Sequence, residues 1–543
     1  MRGLTALTLA CVATVAPAQS PPLAPPPPRL LVVISFDQFS ADLFDEYRPH
    51  FTAGLDRLAG GTVFRNGYQS HATTETCPGH STILTGDRPA RTGIVSNAWG
   101  DRTAARADKT IYCAEDESVP GSTSDNYTVS AKHLRVPTLG DLMKARWPGT
   151  RNVAVAGKDR SAVMMSGHKV DQRWYWDRTG FVTDLSAAPV PASVAAANAA
   201  IAREIATAQP ALVPPPFCAA KAQQFTIEGR PPVGAGAFAR EAGKSSAFRA
   251  SPEADAAALA LAASLVREMN LGKAAGGPDI LSIGLAATDY VGHTYGTGGQ
   301  EMCLNLLSLD RDLGDFLAYL DSREIDYSVA LTADHGGLDI PERMRTRGVA
   351  DAARIDPALT PKLIGEQVTR QTGIAGPILV DEGVIGDLYL DSKISGANRR
   401  RALNAVLAAY RAHPQVAAAF SKDELARTPS PSGNPSTWTL IQRARASFDP
   451  DRSGDLYVML KQNITPIGHI TGSVATHGSP WDYDRRVPIL FWRSGMAASD
   501  RGEAIETVDI MPTLGAQLGL VVDPAGIDGK CLTGIQGIAC PPR

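Results

Sequence analysis

Short apolar runs recur along the chain, and each stops at or shortly before a polar or charged residue. Leu30 to Phe36 precedes Asp37, Val153 to Ala156 precedes Lys158, Ile280 to Leu285 precedes Asp289, and Val329 to Thr332 precedes Asp334. Apolar residues at successive positions predict strands buried on both faces. Between these runs the period becomes helical. Ser251-Pro252-Glu253 makes a helix start ahead of an Ala/Leu-rich stretch to Met269, and Leu309, Leu313, Phe316, Leu317 and Leu320 recur at helical spacing. Strands alternating with helices predict an α/β fold, a doubly wound and mostly parallel sheet with helices on both faces. Ligands collect at the carboxyl ends of the strands in such sheets, which is where Asp37, Lys158, Asp289 and Asp334 fall.

Two stretches break the alternation. Residues 161–250 are rich in Ala and Pro with aromatics such as Trp174, Tyr175 and Trp176, and are expected to form a cap insertion over the site. Residues 340–470 hold a smaller α/β pattern, with strands near Gly386 to Leu390 and Asp455 to Leu460 and a helix from about Asn398 to His413. The pattern from residue 29 to 543 thus reads as one large domain with two insertions.

Composition narrows the picture. With 44% hydrophobic and 20% charged residues the chain has the make-up of an ordinary globular protein. A net charge of -3 supplies no basic field for nucleic acid, so any affinity for an anion has to be local. Residues 1–18 have an early Arg2, an apolar stretch from Leu4 to Val15 and a small-residue Ala16-Pro17-Ala18 site, which predicts a cleaved secretory signal. Cys11 raises a lipoprotein anchor as the rival reading, although Thr8-Leu9-Ala10 before it fits that pattern poorly. Residues 19–28, ending in Pro25 to Pro28, read as a stiff spacer. No later apolar run is long enough to span a membrane. Six cysteines remain beyond the signal: Cys77, Cys113, Cys218, Cys303, Cys531 and Cys540. An even number in an exported chain predicts up to three disulfides. Cys531 and Cys540 are close enough for a local loop, and the other four allow three pairings.

The chemistry lies in four fragments. Asp37 ends the first strand. Asp289 and His293 stand four apart, on one face if the segment is helical, so both can reach one ion. Asp334-His335-Gly336-Gly337 follows a buried strand, where a Gly-rich turn can aim both side chains at one place. Thr476-His477-Gly478-Ser479 adds another imidazole in a Gly-flanked turn. Any one fragment could be a satisfied polar turn, but four in one chain are hard to reach by coincidence.

Together with Thr76-Cys77-Pro78-Gly79-His80, these fragments, in this order, resemble the metal and nucleophile motifs of the alkaline phosphatase superfamily. Asn97 and Lys158-Asp159-Arg160 resemble the phosphate-irrepressible, PafA-like alkaline phosphatases within it. The Thr-x-Pro-x-His form also occurs in its nucleotide pyrophosphatase/phosphodiesterase branch. The resemblance implies an alkaline-phosphatase-like fold and two metal sites, one held by Asp289, His293 and His477, the other by Asp37, Thr76, Asp334 and His335. Nitrogen and oxygen ligands in these numbers favour two zinc ions over magnesium or manganese. Two divalent cations, three aspartates and an ionised Thr76 then balance to a near-neutral cluster.

The resemblance further implies that Thr76 attacks phosphorus to form a phosphothreonine, with Asn97, Lys158 and Arg160 holding the non-bridging oxygens. The expected protein is an exported, monomeric phosphomonoesterase acting on small phosphate esters and releasing inorganic phosphate. The alternative is a phosphodiesterase or nucleotide pyrophosphatase using the same metals and Thr76. His80 is read as a packing residue beneath the nucleophile turn. Cys77 does not stand in the Cys-x-Pro-x-Arg setting of a sulfatase, because Pro78 follows it directly.

Overall fold

The computed structural model describes residues 26–542 apart from 188, 228, 274, 381, 382 and 469–471. The expected signal at 1–18 and most of the spacer at 19–28 lie outside the described residues. The centre is a ten-stranded sheet. From one edge to the other its strands run Ser499–Arg501, Thr62–Tyr68, Arg486–Arg493, Tyr327–Ala333, Leu30–Phe36, Asp279–Leu285, Asn152–Ala156, Gln172–Asp177 and Gly180–Val182, with Ile505–Glu506 also pairing with Thr62–Tyr68.

The four predicted strands are all present, adjacent and parallel, with Leu30–Phe36 between Tyr327–Ala333 and Asp279–Leu285. Their alternation explains why both faces are covered. Val32 and Ile34 pack with Leu313 and Leu317 of the helix Gln300–Ser322 and with Leu261 and Leu265 of the helix Pro252–Glu268. Leu31 and Val33 point the other way, onto Ile83, Met165 and Leu514. Burial on two sides keeps these strands mostly apolar, and polar side chains on them such as Ser35, Ser282 and Thr332 are small and buried. The helix start at Ser251-Pro252 is as expected, although the Ser251 hydroxyl donates to Phe248 O instead of capping.

Three other strands are less legible in sequence. TVFRNGY, QRWYWD and RVPILFWR each carry charges within the strand. Arg173 is tolerated in a buried strand because Asp184 and the Gly167 carbonyl satisfy it. This corrects part of the expected cap. Gln172–Asp177 and Gly180–Val182 extend the central sheet, and Trp174, Trp176 and Phe181 join its core instead of lying over the site. In the 340–470 stretch, Gly386–Leu388, Leu456–Leu460 and Val416–Ser421 form a separate three-stranded antiparallel sheet, against which the helices Pro361–Thr372 and Gly396–Ala412 pack.

Arg486–Arg493 is the reversed strand among parallel neighbours. Its start therefore lies at the edge where the parallel strands end. The turn containing His477, only nine residues earlier in the sequence, is brought to the same edge as Asp37, Lys158 and Asp334.

All six cysteines beyond residue 25 are paired. Cys531–Cys540 is the expected local loop, and Cys77–Cys113 and Cys218–Cys303 are the pairs formed out of the three possible arrangements.

Candidate active site

Thr76 begins the helix Thr76–Ile83, one loop after the Thr62–Tyr68 strand, and is buried. Two cations converge on its hydroxyl. Lys158 Nζ is 3.3 Å and Arg160 Nη2 3.5 Å from Thr76 Oγ1. Lys158 ends the loop after Asn152–Ala156, and Arg160 is in the first turn of the helix Asp159–Ser166. The Lys158 ammonium also lies 2.7 Å from Asp37 Oδ2 and 2.6 Å from Asp289 Oδ2. Burial opposes its charge, but Asp289 and Asp37 outweigh burial and raise its pKa.

Asn97 is held on three sides. Its Oδ1 accepts from the Cys77 N–H (2.8 Å), its own N–H donates to Glu75 Oε2 (2.7 Å), and its carbonyl accepts from the Cys113 N–H (2.9 Å). With Oδ1 engaged, the Nδ2 end is the part of the amide left for a ligand. Asn97 opens a small hairpin, Ala98–Gly100 with Thr110–Tyr112, which is tied to the helix Thr76–Ile83 by Cys77–Cys113.

The three imidazoles share one device. His293 Nδ1 faces Ala475 O, His335 Nδ1 faces Gly336 O and His477 Nδ1 faces Thr74 O, each at 2.8 Å. A backbone carbonyl takes the Nδ1 proton, so in the neutral ring Nε2 carries the lone pair. Those Nε2 atoms point at carboxylates. His293 and His477 reach Asp289 Oδ1 at 3.2 and 3.4 Å, and His335 lies 3.4 Å from both Asp37 Oδ1 and Asp334 Oδ2. Asp289 and His293 share a face of the helix Ala287–Tyr295, as their spacing predicted.

Asp37 Oδ1 and His335 Nε2 are buried without a hydrogen-bond partner among the described residues. Two acceptors facing each other in a dry site repel unless a cation stands between them. Two groups of donor atoms could hold one: Asp289, His335 and His477, and Asp37, His80 and Asp334, each set lying within 4.8 Å. These groups contain every carboxylate and imidazole predicted as a ligand except His293, which adjoins the first through Asp289 Oδ1 at 3.2 Å. His335, whose ring stacks on His477 at 3.6 Å, stands between the two groups.

The protonation pattern is that of a cluster short of positive charge. Burial, then Asp334, pushes the Asp37 carboxyl up to about 7. Burial would lower His477, but Asp289 opposite outweighs it and raises the ring to about 9. Burial pushes His335 down to about 3. Burial also opposes ionisation of Asp289, yet His293 and Lys158 hold it well below the usual carboxylate range.

Residues outside the predicted ligand and substrate-binding set also contribute. His80 Nδ1 lies 2.9 Å from Thr76 O and 3.0 Å from Asp334 Oδ2, fully buried, so it orients Asp334 from behind. The Tyr290 ring lies 5.1 Å from Lys158 Nζ. Tyr112 OH is 3.4 Å from Arg160 Nη1. Sequence reasoning missed both tyrosines. Tyr290 adjoins Asp289 and Tyr112 adjoins Cys113, and that adjacency is the one signal either offered.

A family profile described as "Type I phosphodiesterase / nucleotide pyrophosphatase" matches residues 31–480. Alkaline phosphatase PhoK of Sphingomonas sp is 52% identical over 521 residues, with 95% of this chain and 92% of that one covered. Alkaline phosphatase PhoD of Zymomonas mobilis is 43% identical over 507 residues, covering 93% and 88% of the two chains. Among solved structures, wild-type alkaline phosphatase PafA superposes with a TM-score of 0.82 at 24% identity, covering 94% of this chain and 100% of that one. Fold, motif order and these likenesses agree: the chain belongs to the type I phosphodiesterase/nucleotide pyrophosphatase family, within the alkaline phosphatase superfamily.

Proposed function

We propose that this protein is an alkaline phosphatase, hydrolysing phosphate monoesters through Thr76 and releasing inorganic phosphate. The observation that carries this reading is the convergence of Lys158 and Arg160 on Thr76 Oγ1. A monoester dianion brings two negative charges to that point, and a guanidinium fork with an ammonium point charge balances them.

Two divalent metals, zinc by the mixed nitrogen and oxygen donors, fit the cluster. Asp289, His293 and His477 would hold one, and Asp37, Thr76, Asp334 and His335 the other. The orphaned Asp37 Oδ1 and His335 Nε2 support this fit. When bound, such metals lower the pKa of a coordinated hydroxyl and stabilise charge on a departing oxygen.

The chain's own residues do the rest. Thr76 Oγ1 bonds to phosphorus as the ester P–O bond breaks, leaving a phosphothreonine. Water then cleaves that ester, freeing phosphate and restoring the hydroxyl. Asn97 Nδ2, Lys158 and Arg160 hold the non-bridging oxygens, and each such bond to developing charge is worth about 2–4 kcal/mol.

Export by a signal at residues 1–18 belongs to this reading, supported by the three disulfides. No helix among the described residues is long and apolar enough to cross a membrane. We further propose a monomer in which what remains of the 161–250 insertion, beyond its two sheet strands, and the 340–470 insertion border the site.

The test compares a matched aryl phosphate monoester and diester. Lys158→Ala with Arg160→Ala should lower monoester kcat/KM by several orders of magnitude and diester kcat/KM far less, because a diester carries one charge. Equal losses, or a wild-type preference for the diester, would establish the phosphodiesterase instead.

A further inference from the structure

Arg160 differs from Lys158 in how it is held. Lys158 sits directly between two carboxylates. Arg160 has no carboxylate within ion-pair distance among the described residues, and its Nη1 donates instead to the Tyr112 hydroxyl at 3.4 Å. Tyr112 OH in turn donates to Asp159 Oδ1 at 2.8 Å, and Tyr127 OH donates to Asp159 Oδ2 at 2.8 Å. The two phenol rings pack 4.4 Å apart.

Burial raises both phenols above their ordinary range, so both stay protonated and both donate to Asp159. The Tyr112 oxygen then has a lone pair for Arg160 and no other direction in which to send its proton. Cys113 follows Tyr112, Cys77 follows Thr76, and the two are bonded. The phenol that holds Arg160 is thereby tethered to the nucleophile that Arg160 faces.

We propose that Tyr112, Tyr127 and Asp159 are positioning residues that hold Arg160 over Thr76 through a neutral phenol, leaving the guanidinium charge free for a phosphate dianion. A carboxylate in direct contact would orient Arg160 equally well but would neutralise it. Interposing a phenol separates orientation from charge. The inference rests on the monoesterase reading and predicts that specificity for dianions depends on residues that never touch substrate.

The experiment uses the full metal-loaded chain and the same aryl monoester and diester pair, with Tyr112→Phe, Tyr127→Phe, Arg160→Ala and the Tyr112→Phe/Arg160→Ala double variant. Tyr112→Phe keeps the ring and loses one bond in the relay. It should lower monoester kcat/KM about tenfold and diester kcat/KM about twofold, and should weaken inhibition by inorganic phosphate about as much as it lowers the monoester value. Tyr127→Phe, which does not contact Arg160, should show the same selective loss to a smaller degree. In the Arg160→Ala background Tyr112→Phe should have no further effect on the monoester, because there is nothing left to position.

Equal losses on both substrates from Tyr112→Phe, or an undiminished effect in the Arg160→Ala background, would overturn the relay while leaving the monoesterase reading intact. If Arg160→Ala alone left monoester turnover unchanged, the monoesterase reading would fall and the relay with it.

Discussion

In the proposed reaction Thr76 is the residue on which the chemistry turns. Thr76→Ala should remove nearly all turnover and Thr76→Ser should keep a measurable part, since a serine hydroxyl can still attack phosphorus. A phosphoenzyme trapped on the same peptide of the alanine variant would move the nucleophile elsewhere. Protonation of the ligands makes a second test. In the metal-free chain Asp37 has been pushed to about 7 and His477 to about 9, so both carry protons at pH 6. A metal binds the deprotonated forms, so on uptake these two groups should release about two protons at pH 6, in addition to any from Thr76, and progressively fewer as the pH rises past each value. Apparent metal affinity should accordingly increase from pH 6 to 9. Titration calorimetry in buffers of different ionisation enthalpy reads the proton count directly, and an affinity independent of pH over that range would refute the assignment.

At the scale of elements, the helix Ala287–Tyr295 carries both Asp289 and His293 yet begins at Ala286, which has no capping side chain. The cap comes from another helix. Asp255 Oδ1 accepts from Ala286 N (2.8 Å) and Ala287 N (3.0 Å), placing a carboxylate at the positive end of the helix. Asp255→Ala leaves two buried N–H groups unsatisfied and should cost about 1–3 kcal/mol in denaturant unfolding, with weakened metal binding. Burial raises the Asp255 carboxyl to about 7. The folded chain therefore holds this proton more tightly than the unfolded chain. Its contribution to stability is complete below the unfolded value near 4 and is lost as the pH rises through 7. Asp255→Asn keeps an oxygen for both N–H groups but does not titrate, so comparison of unfolding midpoints from pH 4 to 8 should show that slope missing. An unchanged slope would place the titration elsewhere.

For the whole molecule, chelation should abolish activity, and zinc should restore it better than magnesium, which prefers more oxygen ligands. Full activity in metal-stripped protein, checked by elemental analysis, would remove the bimetal cluster from the mechanism. How much of this was legible beforehand follows from where the information lies. The strands Leu30–Phe36, Asp279–Leu285 and Tyr327–Ala333 were readable because burial on both faces demands a mostly apolar run. Asp37, Asp289 and Asp334 stood out as candidates because each follows such a run closely, and Thr76, His335 and His477 because each sits in a compact motif. Strands containing Arg65 or Arg173 were not, since a charge inside a strand is allowed by partners that only folding brings near. The same holds for Tyr112 and Tyr127, which meet Asp159 across 47 and 32 residues, and for Asp255, which meets its helix across 31. By itself the sequence determined the alternation of strand and helix and the reactive groups at the strand ends, because these are properties of neighbouring residues. Tertiary structure alone decided the pairing of Cys77, Cys113, Cys218 and Cys303, the reversal of Arg486–Arg493 that delivers His477, and the contacts that orient Arg160, because each depends on distances between segments that no local pattern encodes.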